Sequence, residues 1–331
     1  MFAKAQLTFS ALFILNTVSS GIVLHLKKYS IGELISFQEI IEGIDNSNFI
    51  LFTTIGKFIL TIFENRINQD DLPFFLELKL HLANKNISCP RPILDNSGSA
   101  IVDFENKKSI IVSFLTGKTL KPKANGYYDN IDDKHCYEVG KILSNLHLST
   151  TDFLMNRYND LNVKNFKSIF DQIQHLLEDY QRGLKKEILD EINFINDNWN
   201  RKLPSAPAHL DLFPDNVFFD EKNNLTGIID FYFSANEILI YDFAIAVNAW
   251  CFDENKFIES KFKHLISGYE LFRKFSDEEK RFLKYALRAS AMRFLLTRLQ
   301  GLFFTAKESL IKIKDPQEYI NKLKFFKNNL I

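Results

Sequence analysis

The segment His209-Leu210-Asp211-Leu212-Phe213-Pro214-Asp215-Asn216 places an imidazole, two carboxylates and a carboxamide in one short stretch. A further carboxylate, Asp230, follows fourteen residues after Asn216 within Gly227-Ile228-Ile229-Asp230-Phe231. Carboxylate and carboxamide oxygens are hard ligands suited to Mg2+, and a carboxylate can also align a hydroxyl nucleophile. Phosphoryl transfer asks for those two services and for little covalent chemistry from the protein. A loop can turn between Asp211 and Asn216 and present both side chains inward, and Asp230 closes an apolar run where a buried strand would deliver it. Asp and Asn beside a proline are also ordinary turn formers, so this loop alone could be a solvated turn. Against that stand His209, two residues before Asp211, and the strand that carries Asp230. Asp215 reads as a turn residue that caps or braces the loop.

The elements around these residues fall into two kinds. Leu34 to Phe37, Phe49 to Thr53 and Lys57 to Phe63 read as short strands separated by the turns Gly43-Ile44-Asp45-Asn46 and Thr54-Ile55-Gly56. Asp70-Asp71-Leu72-Pro73 opens a helix over Phe74 to Ala83. Two more strands follow, Ala100 to Phe104 and Ser109 to Leu115, around the polar turn Glu105 to Lys108. Beyond Gly117 apolar residues recur at helical spacing in Ile131 to Leu148, Phe166 to Tyr180 and Lys186 to Trp199. A Pro-punctuated loop with β-like runs Val217 to Phe219 and Leu225 to Phe231 interrupts them. Helices resume through Tyr241 to Trp250, Phe257 to Phe272, Asp277 to Phe303 and Pro316 to Phe326. The expectation is an α+β chain: a small antiparallel β-rich lobe over 29–116, a larger helical lobe over 117–331, and an uncertain segment over 1–28. Clefts between such lobes hold ligands.

Composition narrows the classes of function. The chain has 331 residues, 46% of them hydrophobic, and its 41 Lys plus Arg balance 41 Asp plus Glu. That balance disfavours nucleic acid as a partner. Cys89, Cys136 and Cys251 are odd in number, widely spaced and lack a C-x-x-C pairing, which argues against a disulfide framework or zinc site and for a reducing, cytoplasmic setting. Leu7 to Leu26 is apolar enough to weigh as a signal peptide, but Asn16, Ser19, Ser20 and His25 interrupt it, and an N-terminal helix is the preferred reading.

The pattern H-x-D-x-x-x-x-N followed by an I-D-F strand end resembles the catalytic and metal loops of aminoglycoside phosphotransferases and choline kinases, which share the bilobal protein-kinase-like fold. The resemblance implies Asp211 as catalytic base, with His209 bracing the loop, and Asn216 and Asp230 as Mg2+ ligands. Further segments, among them Asp71 to Leu76, Cys89-Pro90-Arg91-Pro92, Tyr241-Asp242, Asn248 to Cys251 and Arg293 to Leu299, are similar to bacterial homoserine kinases of this type, from about Tyr29 to Phe326. An ATP- and Mg2+-dependent kinase acting on L-homoserine, on the route to threonine, is therefore expected. The same fold serves other amino alcohols and aminoglycosides, and a catalytically silent pseudokinase is the reading from another class.

On the nucleotide side the resemblance points to Asn46, Ser47 and Asn48 in the turn over the phosphates, and to Phe114 and Leu115 where adenine would meet backbone groups. Thr61 stands where many relatives carry a phosphate-binding Lys or Arg. Lys57, on the same strand face, or Arg66 could supply that charge, with Glu77 as helix partner. For the acceptor's ammonium and carboxylate the candidates are Tyr232, Asn248, Trp250, Arg293 and Arg298. Asp242 reads as a structural brace of the catalytic loop, and His147 as a packed helix histidine.

Overall fold

The computed structural model describes residues 20–40, 46–64, 68–123, 126–199, 202–305 and 314–329. These divide into two compact units. The first holds the described residues up to Leu80 together with Pro90–Phe114; the second holds His81–Cys89 and the described residues from Leu115 onward. The break falls at Phe114, two residues before the expected lobe boundary.

Unit 1 is an antiparallel sheet in the order β1-β2-β3-β6-β4, with β5 pairing β6. Its strands are β1 (Leu34–Ile40), β2 (Asn46–Thr53), β3 (Gly56–Phe63), β4 (Pro92–Ile93), β5 (Val102–Phe104) and β6 (Lys107–Ser113). Alternation along β2 turns Phe49, Leu51 and Thr53 inward, as a strand with one covered face requires. The cover includes α1, whose described part is 20–26: Ile22 and Leu26 join Leu51, Leu60 and Ile111 in one core. His25 of α1 is buried too, and its Nε2 meets Ser109 Oγ at 3.1 Å. Residues 20–28, left outside the lobe by the expected boundary, thus belong to it, with Ile22, His25 and Leu26 in its interior. The expected turn over Glu105 to Lys108 is tighter than its polarity suggests. Lys107 and Lys108 already pair with Phe104 and Asp103, and Glu105, at φ 55°, makes the bend. The turn at Gly43 to Asp45 lies outside the described residues.

Helix α2 (Leu72–Asn84) ends unit 1's first stretch. Unit 2 then holds α3 (Asp133–Ser149), α4 (Phe166–Ile173), α5 (Leu177–Tyr180), α6 (Leu184–Asn198), α7 (Leu239–Trp250), α8 (Glu259–Tyr269), α9 (Asp277–Phe304) and α10 (Gln317–Asn328). The single helix expected over Phe166 to Tyr180 is broken between α4 and α5. Every residue of α7 is buried, so it is a core helix, apolar all round. Helix α9 starts with a reciprocal capping box between Ser276 and Glu279. Helices α3 and α8 cross with their backbones in direct approach: a Cβ added at Gly140 would stand 2.1 Å from the Leu265 carbonyl oxygen, and one at Gly268 2.0 Å from that of Tyr137.

Three small sheets complete unit 2. Strands β7 (Lys118–Thr119), β9 (Val217–Phe219) and β10 (Leu225–Ile228) form one, β12 (Phe252–Asp253) and β13 (Lys256–Phe257) another. The ribbon of β8 (Ser205–Ala208) and β11 (Ala235–Ile238) is hidden in the sequence by Pro204 and Pro207, yet a two-stranded ribbon tolerates a proline that donates no ladder bond. This ribbon delivers the chain to His209 on one strand and into α7 on the other. No helix among the described residues is long and apolar enough to cross a membrane.

Candidate active site

The loop after β8 is held by a carboxylate from α7. Asp242 Oδ2 accepts the His209 N–H at 2.9 Å and Oδ1 accepts the Leu210 N–H at 2.8 Å. Leu210 sits at φ 62°, a left-handed conformation that an L residue adopts only when its surroundings impose it, and its carbonyl accepts Arg293 Nη1 at 2.5 Å. An acceptor, Asp242, and a donor, Arg293, thus hold the N–H groups and the carbonyl of one peptide segment. Asp242 is fully buried and also accepts His147 Nε2 at 3.0 Å. Burial alone would push its carboxyl pKa upward, but His147, His209 and the Leu210 amide outweigh that and hold it below the usual value. Behind His147 stands Tyr269, whose hydroxyl meets Nδ1 at 2.7 Å, and Arg273, whose Nη1 reaches that hydroxyl at 3.1 Å. The expected packed histidine is therefore one member of a polar chain that ends on the loop.

His209 ties this loop to the next. Its Nε2 donates to the Ile229 carbonyl at 3.0 Å, which leaves Nδ1 as acceptor for the Asp211 N–H at 3.3 Å. Burial lowers the pKa of the imidazole, which is fully enclosed. Both of its ring nitrogens are engaged by the backbone of the two segments it joins. The Ile229 N–H in turn donates to the Asn216 carbonyl at 2.9 Å, so the two segments are stitched side by side.

These bonds bring Asp211, Asn216 and Asp230 together. Asn216 Nδ2 donates to the Asp211 carbonyl at 2.8 Å and to Asp211 Oδ2 at 3.3 Å, which leaves the amide oxygen as the face available to a cation. Asp230 lies two residues past the end of β10 at φ 66°, beyond the strand expected to carry it. Burial first, and then the negative charge of Asp230, push the Asp211 carboxyl up to about 7, with Arg293 pulling the other way. A half-buried carboxyl raised by the charge of a neighbouring carboxylate is an environment that a divalent cation relieves. Among the described residues no group of three or more His, Cys, Asp or Glu converges as a metal cage. The oxygens that Asp211, Asn216 and Asp230 offer are two carboxylates and an amide, all hard ligands.

The remaining candidates separate by their surroundings. Tyr232 is half-buried beside Asp230, and burial and that charge raise its hydroxyl pKa. Arg293 is buried against Phe294, 4.8 Å from the ring centroid. Arg298 is spent on structure, with Nη1 donating to Glu318 Oε2 at 2.6 Å and to the Asp315 carbonyl at 2.7 Å. Lys322 donates to the other oxygen of Glu318 at 2.5 Å and to the Asn248 carbonyl at 2.7 Å. Asn248 and Trp250 are also internal. The Asn248 amide donates to Leu287, Ala244 and Ser290, and the Trp250 indole donates to the Leu212 carbonyl at 2.7 Å, a further brace on the loop.

In unit 1, Thr61 Oγ1 donates to Asn48 Oδ1 at 2.7 Å across the β2–β3 ladder, and Ser47 Oγ donates to Glu64 Oε1 at 3.0 Å. Asn46 begins β2, with its Oδ1 buried and lacking a partner among the described residues. Lys57 Nζ lies over Phe52 and Phe114, 5.3 and 5.5 Å from their centroids, while Glu77 is exposed on α2, so the pair expected between them is absent among the described residues. Leu115, in unit 2, packs where a Cβ at Gly227 would stand, 2.6 Å from Leu115 Cδ1. Arg66 lies outside the described residues. Sequence reasoning passed over Tyr269, Arg273 and Glu318, whose partners His147 and Arg298 carry no local mark of the pairing.

The chain is similar to known proteins in sequence and in fold. The chain is 42% identical over 302 residues to a homoserine kinase of Sinorhizobium fredii, covering 91% of this chain and 90% of that one. It is also 42% identical over 304 residues to a homoserine kinase of Bartonella henselae, covering 92% of each. Among solved structures, a microcompartment-associated aminopropanol kinase superposes with a TM-score of 0.68 at 13% identity, over 94% of this chain and 97% of that one. The choline kinase LicA from Streptococcus pneumoniae gives 0.63 at 17% identity, over 95% and 100%. The fold is the kinase-like α+β fold of these enzymes. Residues 36–275 match the model of the phosphotransferase enzyme family, APH, and the chain belongs to that family.

Proposed function

We propose that this protein is a cytoplasmic homoserine kinase, which moves the γ-phosphoryl group of ATP to the side-chain hydroxyl of L-homoserine and so yields O-phospho-L-homoserine on the route to threonine. The observation that carries the phosphoryl-transfer part is the half-buried Asp211, its carboxyl raised to about 7 beside Asp230 and its loop held by Asp242 and Arg293. The acceptor is carried by the relatives, which bear the homoserine kinase name at 41–42% identity over nine-tenths of this chain.

Mg2+ would be held by Asp230 and the amide oxygen of Asn216, and when bound it supplies the positive charge that phosphate oxygens need. Asp211 orients the acceptor hydroxyl and takes its proton as the phosphoryl group transfers. His209 and Asp242 keep the loop in register, so that the base is aimed without rearrangement. On the nucleotide side, Asn46, Ser47 and Asn48 line the start of β2, and Lys57 is the cation that β3 itself carries, four residues before Thr61. Arg293, with one terminal nitrogen on Leu210 and its Nε without a partner among the described residues, is better placed for the acceptor carboxylate than Arg298, which Glu318 already neutralises.

A coupled assay of ADP release with MgATP tests the reading, with L-homoserine set against choline, an aminoglycoside, serine and no acceptor. Turnover that depends on L-homoserine is the expected result. Turnover with another acceptor alone would discard the substrate, and none with any acceptor would turn the reading toward a binding protein.

A further inference from the structure

Five buried side-chain polar atoms in unit 2 lack a hydrogen-bond partner among the described residues, and three of them, Tyr128 Oη, Tyr319 Oη and Arg293 Nε, belong to side chains set about the loop that carries Asp211. Folded proteins seldom leave such groups unpaired, because each forfeits its hydration without replacement. A cluster of them beside a catalytic carboxylate marks a place where a ligand completes the bonding.

Their placement is specific. Tyr319 is fully buried in α10, its ring stacked 5.1 Å from Phe294, the residue next to Arg293. Phe294 meets Phe213 of the catalytic loop edge-on at 5.0 Å. Tyr128 lines a cavity of about 20 Å³ together with Phe213 and Arg298. The charge of Asp211 bears on both phenols; that of Arg293 also acts on Tyr319, and that of Asp215 on Tyr128, whose hydroxyl it approaches without meeting hydrogen-bond geometry. Burial holds both phenols in the protonated form, so each has an O–H to give. Nearby charges are already satisfied, since Arg298 and Lys322 share Glu318. Tyr319 Oη and Arg293 Nε are left as donors that meet no acceptor, and Tyr128 Oη as a donor that the Asp215 carboxylate nears without bonding, a set that suits a carboxylate with its two oxygens.

We propose that Tyr128 and Tyr319 are specificity-determining residues which, with Arg293, take the α-carboxylate of the acceptor amino acid while its side-chain hydroxyl faces Asp211. This rests on the homoserine kinase reading and adds to it the neutral donors that tell an amino acid from an amino alcohol.

The test uses the full chain with Tyr128→Phe and Tyr319→Phe, which keep the rings and remove only the hydroxyls. Steady-state constants are measured for ATP, for L-homoserine and for 3-aminopropan-1-ol, which is L-homoserine without its carboxylate. A hydrogen bond to a charged group lost from the complex should raise KM for L-homoserine roughly tenfold or more, and lower the kcat/KM preference for L-homoserine over 3-aminopropan-1-ol by a similar factor, with KM for ATP unmoved. If the unaltered protein phosphorylates L-homoserine and both variants keep its KM within about twofold, the inference is overturned and the kinase reading stands. If the unaltered protein accepts only 3-aminopropan-1-ol, the homoserine reading falls and takes the inference with it. Should Tyr319→Phe fail to fold, Tyr128→Phe decides alone.

Discussion

The Tyr269 hydroxyl donates to Nδ1 of His147 at 2.7 Å, and the direction of that bond fixes every proton in the brace behind the catalytic loop. Arg273 can only donate, so Tyr269 accepts from it and gives its own proton to His147. His147 then carries its proton on Nε2 and passes it toward Asp242, which accepts there and from two loop amides. All the donors point one way, and the chain ends on the carboxylate that shapes His209 and Leu210.

His147→Ala removes one donor from a fully buried carboxylate and leaves the Tyr269 hydroxyl without its acceptor. The expected loss is about 2–4 kcal/mol of folding stability, read from the shift of a urea denaturation midpoint. A change under about 0.5 kcal/mol would show that Asp242 does not depend on this partner.

Asp211→Asn should lower kcat by roughly a factor of a thousand, within the range for loss of a general base, and leave the thermal transition in place. The raised carboxyl, about 7, makes a further demand. A base must be ionised, so kcat/KM falls on the acid side of its pKa, and a cation at Asp230 and Asn216 favours the ionised form. Raising Mg2+ should therefore move the acid limb of the pH–rate profile to lower pH; a limb that ignores Mg2+ would place the cation elsewhere.

The acid sensitivity of unit 1 follows from His25. Burial, with a smaller contribution from Lys28, lowers its pKa from 6.5 to about 4. Between those values the unfolded chain binds a proton that the folded one refuses, so stability is full above pH 6.5 and declines as pH falls toward 4. The span amounts to roughly 3 kcal/mol. His25→Gln should flatten the decline in melts at pH 7 and pH 5, whatever it does to stability at pH 7.

Gly268→Ala places a methyl group where the Tyr137 carbonyl oxygen would be 2.0 Å away. Backbone cannot rotate aside as a side chain can, so α3 and α8 must separate, at a cost of about 1–3 kcal/mol or more. Because His147 and Tyr269 ride on those two helices, kcat should fall as well. An alanine variant with unchanged stability and turnover would mean that the crossing is looser than its geometry.

Some of this was legible in the chain and some was not, for physical reasons. Asp211, Asn216 and Asp230 announce themselves because the chemistry needs them close together in sequence, and the helix at Asp277 because a capping box is a local code. Asn248 and Trp250 looked like acceptor contacts, since polar groups in an apolar helix invite that reading. Their partners, Leu287, Ser290 and Leu212, lie on other segments, and long-range pairing leaves no local mark. The same limit separates Arg293 from Arg298: they look alike along α9, and only the register of α10, which brings up Glu318, shows which one is neutralised. The segment over 1–28 was left uncertain for a related reason, because the sheet that buries its helix over 20–26 is folded from residues still to come.

The grip of Arg293 on Leu210 also has a meaning in time. During synthesis the signature from His209 to Asp230 leaves the ribosome complete, yet the donor that fixes the Leu210 carbonyl comes 83 residues later. Tyr269, which orients His147, is separated from it by 122. A nascent chain therefore carries a full set of reacting groups well before it can aim them, and competence arrives with the late helices.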